Sequence, residues 1–347
     1  RYAEPASPEP AGLDDGPLDD ESITDPGDAP ASGVAPFADA FGDLATGAEL
    51  GGRYRLEKVL GKGATGCVFE ASHLVIGKRV ALKCLYPHHR AAPNAVERFF
   101  REARIAATVE HPNVIQVFDG GDEQDTLFLA MELLEGETLG DRLDRGPLPV
   151  LDAAQLFLAI MEGVAAVHVR GVVHRDLKPD NIFLVAARRA RALPEPKVLD
   201  FGISKLKEPG LRELTSLGTV MGTPYYMAPE QIANTRDVDA RADVYSLGVM
   251  LYEAIHGEVP YGGDSMVDIF EAVRRGGAPR LDREHPEVPE ELGRLIERAM
   301  QPERDRRFAS VAEMVDALRR VALDLPPSEA PDDVRATVQD AEGRLAA

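Results

Sequence analysis

Ten residues constrain this chain more than any other stretch. Residues 172–181 read Val-Val-His-Arg-Asp-Leu-Lys-Pro-Asp-Asn. An apolar lead-in delivers His174, Arg175, Asp176, Lys178, Asp180 and Asn181 within eight residues. Charged groups at that density are costly to bury unless partners or a ligand meet them. Asp176 is a proton acceptor for a hydroxyl nucleophile. Lys178 neutralises charge on a group in transfer, and Asn181 offers a neutral oxygen to a hard cation such as Mg²⁺. Together they are equipment for phosphoryl transfer to an alcohol.

Partners for this loop are found upstream in order. Residues 54–60 alternate as a strand does and run into Gly61-Lys62-Gly63-Ala64-Thr65-Gly66-Cys67-Val68, with a second strand over 67–71. Glycines at 61, 63 and 66 let the backbone approach phosphates without a Cβ in the way. A strand follows them where a dinucleotide fingerprint needs a helix, which argues against that reading. Val68 is placed to pack on the flat face of a base. Residues 80–83, Val-Ala-Leu-Lys, form a buried strand whose Lys83 needs an anionic partner. The helix expected over 95–109 supplies Glu102, which shares the apolar face of Phe99, Ile105 and Ala106. Glu97 instead has Arg101 at i+4, so Glu102 is the partner assigned to Lys83.

Strand-like runs follow at 114–118 and 127–133, then a long amphipathic helix over 151–169 that leads into the charged loop. A hairpin of 182–185 and 197–199 closes on Asp200-Phe201-Gly202. A carboxylate just past a strand, followed by a glycine hinge, suits a metal ligand on a loop that moves. Further helices are expected at 243–256, 265–274, 290–300 and 310–321.

The net charge of −20 is uneven: residues 1–50 carry −11 and residues 321–347 carry −4. Residues 1–48 are rich in Pro, Ala, Gly, Asp and Glu, a composition expected to stay disordered. The expected layout is an acidic tail over 1–50, a domain over 54–321 and an acidic linker or tail over 322–347. Such acidity argues against nucleic acid as a partner. Cys67 and Cys84 have no metal-type spacing and read as small buried hydrophobes in a reducing, cytoplasmic setting. The most apolar run, 156–173, is interrupted by Glu162, His168 and Arg170, too polar for a membrane segment.

Glycine loop, Val-Ala-Leu-Lys, helix Glu, His-Arg-Asp, Asp-Phe-Gly and Ala-Pro-Glu follow one another over 54–321. In this order the chain resembles the protein kinase family, in particular the bacterial eukaryotic-like serine/threonine kinases. The resemblance implies an α+β two-lobed fold, with a small β-rich N-lobe with one helix (54–134) and a larger helical C-lobe (135–321). It implies ATP, Mg²⁺ and protein substrates with Ser/Thr acceptors. Leu60, Gly61, Lys62, Gly63, Ala64, Thr65, Gly66, Cys67, Val68, Ala81, Met131 and Phe183 then surround ATP, and the backbone of Glu132 and Leu134 bonds the adenine. By the same resemblance Lys83 holds phosphates and is positioned by Glu102, Asp176 is the base, and Lys178 stabilises the γ-phosphoryl group. Asn181 and Asp200 bind Mg²⁺, and Thr223 lies beside the acceptor.

Asp243 resembles the helix aspartate that holds the catalytic loop, and Arg307 the partner of Glu230. Arg175, directly before the base, implies a switch in which a phosphate on Thr215 or Thr219 meets its guanidinium. Two departures from the family matter: the stretch between Asn181 and Asp200 is about six residues longer than usual and carries Arg188, Arg189 and Arg191, as an exposed hairpin loop would, and Cys67 and Cys84 both flank the implied ATP cleft on neighbouring strands. An inert pseudokinase scaffold, the alternative, requires loss of Lys83, Asp176 or Asp200, and all three are present. A small-molecule phosphotransferase is disfavoured by residues 222–230, which resemble a segment that binds protein substrates.

Overall fold

The computed structural model describes residues 46–63, 65–87, 95–123, 126–186, 193–200, 224–233 and 237–326. The tail through residue 45, Ala64, the arginines at 188, 189 and 191, Phe201, Gly202, Thr215, Thr219, Thr223 and residues 327–347 lie outside the described residues.

The first half is an antiparallel sheet in the order β1-β2-β3-β4-β6-β5. Its strands are β1 (Glu49–Leu50), β2 (Tyr54–Lys62), β3 (Gly66–His73), β4 (Arg79–Leu85), β5 (Val117–Glu123) and β6 (Thr126–Met131). Helix α1 (Ala95–Ala106) packs on β5 and β6. Phe99, Ala103 and Ala106 are buried with Glu102, while Glu97 and Arg101 are exposed, as the 3.6-residue period requires. β4 is buried from Val80 through Leu85 because the sheet covers one of its faces and α1 the other.

Residues 46–50 belong to this sheet and not to the acidic tail. Gly47 N–H donates to Leu56 O at 2.7 Å, and Leu56 N–H donates to Ala48 O at 2.9 Å. Leu50 is fully buried with Tyr54, Leu56, Phe69 and Phe128. Gly51 and Gly52, at φ 62° and 60°, make the turn between β1 and β2. Both take the left-handed conformation that glycine favours, and a Cβ on Gly51 would come within 3.1 Å of the Phe128 ring.

The strand expected at 114–118 is displaced to β5. Gly120 and Gly121 lie within β5, where the Phe128 ring occupies the space a Gly121 side chain would need. Val114 forms instead an isolated parallel bridge to Val198. Ile115 N–H donates to Val198 O at 3.0 Å, Val198 N–H to Asn113 O at 2.9 Å, and Asn113 Nδ2 to Pro196 O at 2.9 Å. These bonds tie the lead-in to β5 to the second half of the fold.

That half holds a small sheet of β7 (Gly136–Thr138), β8 (Ile182–Val185) and β9 (Glu195–Val198). Its helices are α2 (Leu139–Leu143), α3 (Val150–Val169), α4 (Pro229–Ile232), α5 (Arg241–His256), α6 (Met266–Arg275), α7 (Leu281–Glu284), α8 (Glu290–Ala299) and α9 (Val311–Leu323). Thr138 opens α2 with a capping box: its Oγ accepts the Asp141 N–H at 3.0 Å, and Asp141 Oδ2 accepts the Thr138 N–H at 3.0 Å. α5 is buried along nearly its whole length against α3, α8 and α9. α9 runs past 321, and Leu325 beyond it is buried in the same core, so the domain extends beyond its expected end. α3 is long and apolar enough by itself to cross a membrane, unlike the frame read from 156–173. Half of that stretch is buried here, with Phe157, Ile160, Met161 and Val164 in the core.

Candidate active site

The charged loop leaves the end of α3 and is shaped by one carboxylate. Asp243, in the first turn of α5, is fully buried. Its Oδ2 accepts the His174 N–H at 2.8 Å and lies 2.7 Å from His168 Nε2, and its Oδ1 accepts the Arg175 N–H at 2.8 Å. A helix N-terminus favours such an anion. Arg175 is held at φ 65°, a conformation that an L-residue adopts only when its surroundings impose it. Gln231 Nε2 donates to Arg175 O at 2.8 Å and fixes the peptide from its other side.

His174 is buried. Its Nδ1 accepts the Asp176 N–H at 3.3 Å, so Nε2 carries the proton and donates to Leu199 O at 2.8 Å. Asn181 closes a 3₁₀ turn over Pro179–Asn181. Its Nδ2 donates to Asp176 O at 2.6 Å and stands 3.4 Å from Asp176 Oδ2. Asn181 O accepts the Leu199 N–H at 2.8 Å, which ties the loop to the end of β9. Lys178 Nζ lies 3.6 Å from Asp180 Oδ2.

Asp200 follows β9 at φ 55°. Its Oδ2 is 2.5 Å from Lys83 Nζ, an ion pair that joins the large sheet to the loop after β9. Burial alone would raise the Asp200 carboxyl, but the Lys83 charge and hydrogen bond override it and hold it below its ordinary value. Glu102 is buried on the inner side of α1, as its spacing predicts, while the ion pair seen for Lys83 runs to Asp200.

The register decides which side chains share the Lys83 face. Lys83 stands opposite Val68 and Leu129, and Ala81 stands opposite Met131. Directly paired residues point the same way, so Val68, Ala81, Lys83 and Met131 share one face. Cys67 and Cys84 pair with each other on the opposite face, inside the small-lobe core. The side chain of Cys67 therefore turns away from Lys83, as a small buried hydrophobe does. Its Sγ donates to Gly61 O at 3.3 Å, and burial pushes the thiol up.

In the glycine loop, Gly63 N–H donates to Gly66 O at 2.9 Å. A Cβ on Gly66 would collide with Cys84 O, whereas one on Gly61 would meet open space. Leu60, Gly61, Lys62 and Gly63 are exposed, and Thr65 is half-buried. Glu132 and Leu134 lie between the lobes, both half-buried, and the Glu132 N–H is spent on Gln116 O at 3.0 Å. Phe183 is half-buried on β8, opposite Thr138 and Lys197.

Arg307 is 2% exposed, and its guanidinium meets both oxygens of Glu230 at 2.8 Å. It also donates to the carbonyls of Gln301, Arg241 and Pro302 at 2.7, 2.9 and 2.9 Å. Sequence reasoning missed His168, Gln231 and Lys197. None stands in a motif, and each acts through a contact across 56 to 75 residues of sequence.

The model of the protein kinase domain matches residues 54–318. Serine/threonine-protein kinase pkn2 of Myxococcus xanthus is 37% identical over 272 residues, covering 78% of this chain and 32% of that protein. Serine/threonine-protein kinase PknA of Mycobacterium tuberculosis is 36% identical over 299 residues, covering 84% and 67%. The crystal structure of the Mycobacterium tuberculosis PknI kinase domain superposes with a TM-score of 0.63 at 28% identity, over 80% of this chain and 99% of that domain. The chain spans about a third of the length of the two Myxococcus relatives it matches. A match over three quarters of the chain makes it a member of the protein kinase family.

Proposed function

We propose that this chain transfers the γ-phosphoryl group of ATP to serine and threonine hydroxyls of protein substrates, with Mg²⁺ as cofactor. The observation that carries the reading is that Leu199, the residue before Asp200, bonds to both His174 and Asn181 and so ties the loop of Asp176 and Asn181 to the residue that follows it. The donor set suits a hard cation: the Asp200 carboxylate and the Asn181 side-chain oxygen, its Nδ2 already committed to Asp176. Bound there, Mg²⁺ would neutralise phosphate charge. Lys83 would then exchange its Asp200 partner for phosphate oxygens. Asp176 would take the proton of the attacking hydroxyl, and Lys178 would face the charge that builds on the transferring group. The Glu132 carbonyl and the Leu134 N–H would meet the adenine. Open space at Gly61 suits close approach of phosphates.

Regulation is part of the reading. Arg175 Nη2 donates to Val238 O at 2.9 Å, and its buried Nε has no hydrogen-bond partner among the described residues. A phosphate on Thr215 or Thr219 would supply the anion that this guanidinium calls for. Mass spectrometry of autophosphorylated protein, beside the kinetics of a Thr215→Ala, Thr219→Ala variant, tests it. No phosphate at either residue and full activity in the variant would remove the switch.

The reading as a whole is tested with radiolabelled ATP, Mg²⁺ and a generic protein substrate. Label is expected on Ser and Thr, dependent on Mg²⁺ and lost in Asp176→Asn. A folded wild-type chain that binds ATP but transfers nothing would favour the scaffold.

A further inference from the structure

One oxygen of Glu132 ties three stretches of chain together. Its Oε1 lies 2.9 Å from Lys197 Nζ and accepts the Gln116 N–H at 2.9 Å. Glu132 follows Met131 at the end of β6, where the chain passes between the lobes. Lys197 sits on β9, the strand that delivers Asp200, and Gln116 leads into β5. The lysine and glutamate side chains are 14% and 24% exposed. Exposed ion pairs contribute little, but this one is largely enclosed and its carboxylate is held by a backbone donor as well.

The consequence falls on the peptide of Glu132. Its N–H is engaged by Gln116 O and its side chain by Lys197 and Gln116, so the carbonyl is the group left to face a ligand. Without the ammonium, the half-buried carboxylate keeps a single donor. Its relief is to turn toward water, and the turn gives up the Gln116 N–H bond, so that the Glu132 peptide is held through its own N–H alone and its carbonyl is less firmly placed. Gln116 does not substitute for the lysine, because a neutral N–H cannot compensate a desolvated charge.

We infer that Lys197 is a positioning residue for the adenine edge of the site, holding the Glu132 carbonyl in fixed relation to the strand that carries Asp200. The inference rests on the ATP reading above and adds a residue that no motif marks. It separates the two ends of the nucleotide: Lys197 should matter for the base and not for the phosphates.

The test uses the full chain and two probes, adenosine for the base end and Mg²⁺-tripolyphosphate for the phosphate end, each measured as an inhibitor. In Lys197→Met, adenosine should weaken about fivefold with a matching rise in KM for ATP, the effect of one charge-assisted bond. kcat should stay within about twofold, and tripolyphosphate should bind as in the wild type. Lys197→Arg should restore adenosine binding. Glu132→Gln should reproduce the Lys197→Met loss, and the double variant should be no worse than either single one. Should Lys197→Met fail to fold, Glu132→Gln and Lys197→Arg carry the comparison.

A general loss of packing would lower both affinities together and would not be rescued by arginine for one probe alone, and that result overturns the inference. So does a Lys197→Met protein that binds adenosine as the wild type does, while the kinase reading stands. A wild-type chain that binds no adenosine overturns both.

Discussion

Asp243 holds Arg175 in a left-handed backbone conformation by accepting its N–H at 2.8 Å, from a carboxylate with no exposure to water. The left-handed turn at Arg175 sets the direction in which the next residue, Asp176, leaves the loop. Asp243→Asn keeps the size of the side chain but replaces one acceptor oxygen with a donor. Two backbone N–H groups and His168 then compete for a single oxygen. Phosphoryl transfer should fall on the order of 10²-fold, the cost of misplacing a reacting group by about an ångström. Steady-state kinetics beside a melting curve decides it. Near-normal kcat in a folded variant would show that the loop keeps its shape without the anion.

Arg307 and Glu230 are a buried pair in which every guanidinium group has a partner. Removing one member leaves the other charged and enclosed. Arg307→Met should cost about 3–5 kcal/mol in denaturant unfolding, and Arg307→Lys a large part of that, since an ammonium cannot span both oxygens and three carbonyls. The double variant Arg307→Met, Glu230→Leu should recover much of the loss. If the double variant is as unstable as the sum of the two singles, packing and not charge explains the effect.

Leu50 and Leu60 provide a controlled contrast, because the residue is the same and the exposure is 0% and 45%. Leu50→Ala should destabilise by about 2–4 kcal/mol, and Leu60→Ala by much less. Equal losses would mean that β1 adds nothing to the sheet.

The Tyr245 hydroxyl is buried with no hydrogen-bond partner among the described residues. Burial pushes its ionisation far above the usual tyrosine range, so it stays a neutral hydroxyl at every working pH. Tyr245→Phe should leave stability unchanged or raise it, because the uncompensated desolvation is removed. A loss above about 1 kcal/mol would reveal a partner for the hydroxyl.

Much of this was legible in the chain because its signals are local. The alternation through β2, the spacing that turns Glu102 inward, and the density of charge in 174–181 all show within a few residues. What the sequence hid depends on distance. The extent of β5 is hidden because two glycines carry no strand signal until Phe128 fills the space above Gly121. Residues 46–50 were read as tail because a two-residue strand carries no period. The face that Cys67 takes is hidden as well, because a motif counts positions whereas the pleat alternates faces.

Asp200 gives a pH prediction with a definite sign. Its carboxyl sits below the ordinary value of 3.8, with burial opposing and Lys83 overcoming it. A depressed carboxyl contributes stability above its unfolded value, and that contribution is lost as pH falls through the folded one. Melting curves of wild type and Asp200→Asn should therefore differ most near neutrality, begin to converge below about pH 4 and meet only below the depressed folded value. A gap that persists unchanged at pH 3 would show that the Lys83 pair has no part in acid sensitivity.

The glycines of the glycine loop look equivalent in the motif and are not so in space. Gly61 has nothing beside it, while Gly66 has the backbone of β4 where its side chain would be. A methyl at Gly61 would go unnoticed by the empty protein and be felt only by whatever binds. A methyl at Gly66 would wedge the hairpin open before any ligand arrived. It would carry Lys83 with it, since Cys84 is the lysine's neighbour in the chain. Alanine at one position thus edits the guest and at the other edits the host, and a heat-denaturation curve without nucleotide tells them apart.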